Sequence, residues 1–205
     1  MLFQTIKDHC NQLSQRFSEI PEDRQLLLRK ISEYIREKRN KDLPVNLVFI
    51  CTHNSRRSHF GQVWAAVAVA NYGIENVHTY SGGTEATAFN PNAIQALRTT
   101  GFQVVGETSN PNPNYTVKFG EGLQTNCFSK TFDDPANPSS NFAAIMTCSH
   151  AEENCPFVPG TDLRIGITYD DPKDFDDTAQ QDEKYLERSN QIALEILYTF
   201  SLVNN

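Results

Sequence analysis

The chain predicts an α/β domain on a parallel sheet, preceded by a pair of helices. Apolar residues near the start recur at steps of three and four, the period of a helix face. From Val45 onward, short apolar runs alternate with helix-patterned segments. Gly, Asn and Pro punctuate those segments where helices begin and end. Strand alternating with helix is the pattern of a sheet whose strands run parallel.

Phe3, Ile6, Cys10, Leu13, Phe17 and Ile20 fall on one helix face. Pro21 with Glu22 and Asp23 starts a second helix, which carries Leu27, Leu28, Ile31, Tyr34 and Ile35 to about Lys41 and stops before Pro44. Residues 1–44 therefore read as an N-terminal helical hairpin and 45–205 as the α/β domain. Val45 to Ile50 is continuously apolar apart from Asn46, as expected of a buried parallel strand. Ser58 to Tyr72 is a helix capped by Gly73, with Trp64 on its core side. Val77 to Ser81 is a strand; Asn90-Pro91 opens a helix that Gly101 closes. The stretch 105–141 has little periodicity and much Pro, Asn and Asp, and reads as an irregular insert. Within it Asn110 to Asn114 is a loop, and Tyr115 to Phe119 with Cys127 to Thr131 make a small hairpin. Phe142 to Thr147 and Leu163 to Ile167 are strands, and Asp182 to Leu202 is the closing helix.

The bulk numbers narrow the function. A length of 205 residues suits one domain with a small appendage, and 39% hydrophobic residues suffice for a core. A formal charge of -7 argues against a broad nucleic-acid footprint. No run approaches the roughly 18 apolar residues of a membrane span, and the start MLFQTIKDHC lacks a signal-peptide pattern. Five cysteines, an odd number, do not suggest a disulfide framework. A reducing cytoplasm is the expected compartment, where thiols serve catalysis, redox or metal binding.

One segment combines several of these signals: Cys51-Thr52-His53-Asn54-Ser55-Arg56-Arg57-Ser58, between the first strand and an Ala-rich helix. A loop leaving a buried strand turns its N–H groups inward, and the next helix aims its positive end at the same point. That cradle suits a tetrahedral oxyanion, which Arg57 can grip as a fork. Cys51, at the focus of the positive field, is expected to be a nucleophilic thiolate near neutrality. Ser58 can donate to it, and Asn54 tolerates a left-handed loop conformation.

Transfer to sulfur needs a proton donor for the leaving group. Asp170-Asp171-Pro172 follows the last strand, at the carboxyl edge where open α/β sheets bind ligands. Asp133-Asp134-Pro135 is a rival copy in the irregular stretch. A second thiol pair, Cys148 and Cys155, follows the strand ending at Thr147. It supports three readings: a redox relay with Cys51, a weak metal site with His150, or inert burial.

In order, the blocks NLVFICTHNSRRS, YSGGTEATAFNPNAIQALRTTGF, IMTCSHAEENCP and YDDP resemble the low-molecular-weight protein tyrosine phosphatase superfamily, and within it the thioredoxin-coupled arsenate reductases. The resemblance covers about Val45 to Pro172. It implies a three-layer α/β fold with a central four-stranded parallel sheet flanked by helices. It also implies that Cys51 attacks phosphate or arsenate, that residues 52–58 (Thr52, His53, Asn54, Ser55, Arg56, Arg57, Ser58) hold the oxyanion, and that Asp171 is the general acid. The 16-residue step from Cys155 to Asp171 resembles that of the reductases, which favours Asp171 over Asp134. In that branch Cys148 attacks Cys51, and thioredoxin then reduces a Cys148–Cys155 disulfide. Some such reductases bind potassium near the loop, and Asn54 matches one ligand. Gln62 stands where an acidic ligand is usual, so no metal and no cofactor is expected.

The sequence departs from the family at Arg56, often a small residue there, and at His53, usually glycine. Arg56 is expected to add charge at the mouth of the loop. No tyrosine pair follows the acid, since Pro172 leads into Lys173-Asp174-Phe175. The N-terminal hairpin and the insert have no counterpart in the compact relatives. The leading expectation is therefore a thiol-relay arsenate reductase. The alternatives are a phosphatase of phosphotyrosine or small phosphate esters, and a non-catalytic oxyanion-binding regulatory module.

Overall fold

In the computed structural model, which describes residues 1–106, 110–154 and 157–204, the chain runs through α1 (Gln4–Ser14), α2 (Glu22–Asn40), β1 (Val45–Cys51), α3 (Arg57–Tyr72), β2 (Val77–Gly83) and α4 (Pro91–Thr100). It continues through β3 (Gln103–Gly106), β4 (Tyr115–Gly120), β5 (Leu123–Cys127), β6 (Phe142–Met146), α5 (Ser149–Asn154), β7 (Thr161–Gly166) and α6 (Gln181–Ser201). Strands β2-β1-β6-β7 form a four-stranded sheet in that order, every pairing parallel. This is the predicted central sheet.

β1 shows why both faces of the sheet are covered. Leu47 and Phe49 point to one face, packing with Val63, Trp64, Ala143, Ile145, Ile192 and Ile196 in the main core. Val48 and Ile50 point to the other, where they cluster with Phe142, Ala144 and Met146 of β6, Cys148 just after it and Ala151 of α5. The two-residue period of a strand sends alternate side chains to opposite faces. An almost continuous apolar run is thus what a doubly covered strand requires. The first face carries the long helices: α3 and α6 pack on each other, and Trp64 Nε1 donates to Ser189 Oγ at 3.0 Å across that contact.

Helix ends follow their local chemistry. Asn90 caps α4, its Oδ1 accepting from the N–H groups of Asn92 and Ala93. Gly73 and Gly101 take left-handed conformations (φ 61° and 109°) just after α3 and α4, where a side chain would be strained. The first predicted face divides: α1 stops at Ser14 and a 3-10 turn spans Phe17–Glu19. Both N-terminal helices lie chiefly against α6. Ser32 Oγ donates to Thr199 O at 2.8 Å, and His9 pairs with Asn190 at 2.9 Å.

The segment expected to be irregular carries a second sheet, β3-β4-β5, antiparallel throughout. The partner of β4 is Leu123–Cys127, not Cys127–Thr131. The turn between them is set by Gly122 at φ 69°. β5 alternates half-buried and exposed residues with the weakly apolar sequence LQTNC, so it offers no hydrophobic run to find.

Candidate active site

The site lies where β1 ends and α3 begins, at the carboxyl edge of the parallel sheet. The loop from Thr52 to Arg56 is held from outside through its carbonyls. Thr52 O accepts from Glu85 N at 2.8 Å, His53 O from Ser129 Oγ at 2.9 Å and Thr87 Oγ1 at 3.1 Å, and Ser55 O from Asn90 N at 2.9 Å. Ser55 Oγ donates outward to Ala88 O at 2.7 Å. With these carbonyls engaged outside, the loop N–H groups are expected to face the centre, where the first turn of α3 adds donors with no helical acceptor. Asn54 takes the left-handed conformation expected of it, φ 44°.

Gly83 makes this packing possible. A Cβ there would stand 2.4 Å from Glu85 O, 2.6 Å from Thr52 O and 2.7 Å from Asn54 N, all backbone atoms. Gly83→Ala is expected to displace the loop and cost about 1–3 kcal/mol. Thermal melts with and without added phosphate measure both effects: the variant is expected to melt lower and to gain less from phosphate than the wild type. An unchanged melting temperature and an unchanged phosphate effect would contradict the assignment.

Cys51 is buried, with Sγ 3.1 Å from Ser58 Oγ. Asn54 Nδ2 donates to the same Ser58 oxygen at 2.9 Å, which leaves the Ser58 hydroxyl hydrogen for the sulfur. Asn54 Oδ1 accepts from Lys130 N at 2.9 Å. Arg57, the first residue of α3, is also buried. Its Nη1 donates to Tyr169 O at 2.8 Å and its Nη2 to Asp171 Oδ2 at 2.5 Å. Its Nε has no hydrogen-bond partner among the described residues. A buried guanidinium donor without an acceptor, next to a ring of inward N–H groups, is a position an anion would satisfy.

Arg56 departs from expectation. It adds no free charge at the mouth, because Nε donates to Tyr185 OH at 2.8 Å and Nη2 lies 3.5 Å from Asp176 Oδ2. Tyr185 OH in turn donates to Asp176 Oδ1 at 2.7 Å. Burial, with the Asp176 hydrogen bond, pushes Tyr185 up to about 12, so it stays a neutral phenol. Arg56 also lies 4.0 Å from Asp171 Oδ1. Of the acidic residues that follow Tyr169, Asp171 and Asp176 turn in to the two arginines. Asp170 stays out, its side chain 93% exposed beside Arg188. His53 sits at the rim, 3.8 Å from Glu85.

The rival acid makes no hydrogen bond or ion pair with either arginine among the described residues. Asp134 closes its own turn, Oδ1 accepting from Ala136 N at 2.8 Å; Asp171 does the same for Lys173 N at 3.1 Å, but its second oxygen stands against Arg57. Cys148 is buried two residues beyond β6, the strand beside β1. Its Sγ lies 3.5 Å from Thr52 Oγ1, and that hydroxyl lies 3.2 Å from His150 Nδ1. Ala151 N points at the Cys148 sulfur from 3.4 Å. Cys155 lies outside the described residues.

Behind the loop, His59 stacks on Phe89 with ring centres 4.1 Å apart. Full burial, with the Lys130 charge, holds it down to about 3, so it is neutral and its Nδ1, 3.2 Å from Ser81 Oγ, serves as a hydrogen-bond donor. Ser81 passes its own hydrogen to Gln62 Oε1 at 2.7 Å, and Gln62 Nε2 donates to Thr125 Oγ1 and Asn126 O. These residues do not fit a potassium ion. Gln62 brings no charge and its amide is engaged at both ends. Asn54 Oδ1 already accepts from the Lys130 N–H, and Lys130 buries its own positive charge nearby.

Sequence reasoning missed Tyr185, Asp176 and the Tyr169 carbonyl, each more than 110 residues from the arginine it serves. No local pattern announces such partners.

A family model described as low molecular weight phosphotyrosine protein phosphatase matches residues 46–118. The arsenate reductase of Staphylococcus aureus (strain Newman) is 29% identical over 126 residues, 62% of this chain and 77% of that protein. Among solved structures, an arsenate reductase in a phosphate binding state shares 16% identity at a TM-score of 0.52, over 78% of this chain and 98% of its own. The low molecular weight phosphotyrosine phosphatase from Vibrio cholerae O395 shares 12% at a TM-score of 0.52, over 75% and 93%. The structural likenesses speak for the fold, and the family model spans β1, the Cys51 loop and α3. Over residues 46–118 the chain is similar to the low molecular weight phosphotyrosine protein phosphatases, over 126 residues it is similar to an arsenate reductase, and its fold is the one that solved structures of both share.

Proposed function

We propose that this protein reduces arsenate through a thiol relay that starts at Cys51. The observation that carries this over simple phosphatase action is the place of Cys148. Its sulfur lies 3.5 Å from the hydroxyl of Thr52, the residue that follows the nucleophile. Phosphoryl transfer by Cys51, Arg57 and Asp171 calls on no second thiol, whereas a thiol relay requires one.

The chemistry follows from the geometry. Arsenate enters the loop, and Arg57 turns its fork from the Asp171 carboxylate to the oxyanion. The inward N–H groups and the Arg57 charge stabilise the charge that builds on the transferring group. Cys51 attacks arsenic as the thiolate, forming an S–As bond, and hydroxide leaves as water with the proton that Asp171 takes up from solvent once Arg57 has turned to the oxyanion. Cys148 then attacks Cys51 Sγ. An S–S bond forms, the S–As bond breaks, and its electron pair stays on arsenic, which leaves as arsenite. Cys155 attacks Cys148, frees the Cys51 thiolate and leaves a Cys148–Cys155 disulfide. A dithiol protein of the thioredoxin class supplies the two electrons that reopen it.

The same Cys51, Arg57 and Asp171 support a second reading, phosphate-ester hydrolysis. There Cys51 takes the phosphoryl group, Asp171 protonates the departing alkoxide, and the same carboxylate then activates water against the phosphocysteine. Turnover of arsenate with thioredoxin and hydrolysis of an aryl phosphate, measured on one preparation, separate the two. Arsenite formation that depends on thioredoxin is the expected result. Aryl phosphate hydrolysis alone moves the assignment to a phosphatase. Neither activity, together with iodoacetamide labelling of Cys51 that phosphate does not slow, would remove both.

A further inference from the structure

We propose that Arg24, from the N-terminal helical extension, is a positioning residue that fixes the Thr168–Asp171 segment for transfer at Cys51. The inference rests on the oxyanion-transfer chemistry above and extends its machinery into a part of the chain that contributes no atom to the loop.

Arg24 lies in the first turn of α2, and its guanidinium reaches across to the acid segment. Nη2 donates to Thr168 O at 3.1 Å, and Nε donates to Glu195 Oε2 of α6 at 2.9 Å. The flat face of the group lies over the Tyr169 ring, 4.8 Å from its centre. Tyr169 OH closes the set by donating to the same Glu195 oxygen at 2.8 Å. The carbonyl of that tyrosine receives Arg57 Nη1, and two residues on stands Asp171. One side chain thus holds the segment by its backbone at Thr168 and by the ring at Tyr169, and both lead directly into the groups that touch Arg57.

Burial makes the set specific. The side chain of Arg24 is 17% exposed and that of Glu195 is 5% exposed. An ion pair this deep is weak evidence for stability, because desolvation offsets the attraction. Joining two helices would need only apolar residues. What apolar residues cannot do is hold a carbonyl and a carboxylate in two fixed directions while stacking on a ring, which a planar guanidinium can. Besides Arg24, the segment after β7 is held by two backbone bonds to the sheet edge, Ile167 N to Met146 O and Tyr169 N to Thr147 O, by Tyr169 OH on Glu195, and by Arg57 itself, so Arg24 is what fixes it at Thr168.

The test uses Arg24→Met combined with Glu195→Gln in the full chain. The pair removes both charges together, so no buried carboxylate is stranded, and the introduced amide oxygen can still accept from Tyr169. Two readouts are taken against the wild type. Amide hydrogen exchange over 167–175 is expected to rise about tenfold or more, while β1 and α3 keep wild-type protection. The kcat/KM for phenyl phosphate, a poor leaving group, is expected to fall about 10²-fold, and that for p-nitrophenyl phosphate only a few-fold. The leaving-group dependence should approach that of Asp171→Asn. Unchanged exchange over 167–175 overturns the proposal. So does increased exchange with an unchanged leaving-group dependence, which leaves Arg24 a purely structural tie. If the wild type acts on neither arsenate nor aryl phosphate, the function proposed above fails, while the exchange measurement still judges whether Arg24 holds the segment.

Discussion

Arg57→Lys is expected to lower kcat/KM for arsenate and for aryl phosphates by about 10²–10³-fold, the loss that follows removal of an oxyanion donor. The substitution keeps the positive charge and so isolates geometry. Arg57 approaches from the first turn of α3 and sends one nitrogen to Tyr169 O, another to Asp171, and a third, Nε, to no partner among the described residues. An ammonium group at the end of a flexible chain cannot point three donors in those directions. Iodoacetamide should still label Cys51 in the variant, since the loop and Ser58 remain. Phosphate at concentrations that protect the wild type should no longer slow that labelling. Activity within threefold of wild type would mean that the oxyanion is held by the loop alone, and the assignment of Arg57 as clamp would be wrong.

How much of this is legible in the sequence depends on how local each signal is. The Cys51 loop is readable because its parts are consecutive: a doubly buried strand, a loop residue tolerant of positive φ, and an arginine at the first position of a helix. Asp171 is distinguished from Asp134 only through the resemblance, and the structure places it within hydrogen-bond reach of Arg57. The ends of α3 and α4 are readable because Gly73, Asn90 and Gly101 act on their own neighbours. β5 is not, because LQTNC gains its strand character from pairing with β4 and not from its own side chains. Arg56 misleads for a related reason. Its charge is visible in the sequence, but its pairing with Asp176 and its hydrogen bond to Tyr185 of α6 depend on chain more than 110 residues away returning to the loop. Arg24 is hidden the same way, in a helix whose sequence announces only its apolar face.

Cys148→Ser tests the relay most directly, because it is close to isosteric and sits outside the transfer step. Thioredoxin-coupled arsenate turnover is expected to fall on the order of 10³-fold, since the oxygen cannot form the disulfide that expels arsenite. Aryl phosphate hydrolysis should stay within about twofold of wild type, as Cys51, Arg57 and Asp171 are untouched. The fold should tolerate the change. The serine hydroxyl inherits Thr52 Oγ1 and Ala151 N as partners, so the stability loss should be no more than about 1 kcal/mol. The contrast between the two activities carries the test, because a structural defect would lower both. If arsenate is reduced at the wild-type rate, Cys148 is an inert buried thiol and electrons reach arsenic another way. If both activities collapse while the protein stays folded, Cys148 supports the loop through Thr52 instead of resolving an adduct. Only loss of the first with retention of the second makes the thiol beside Thr52 part of the reaction.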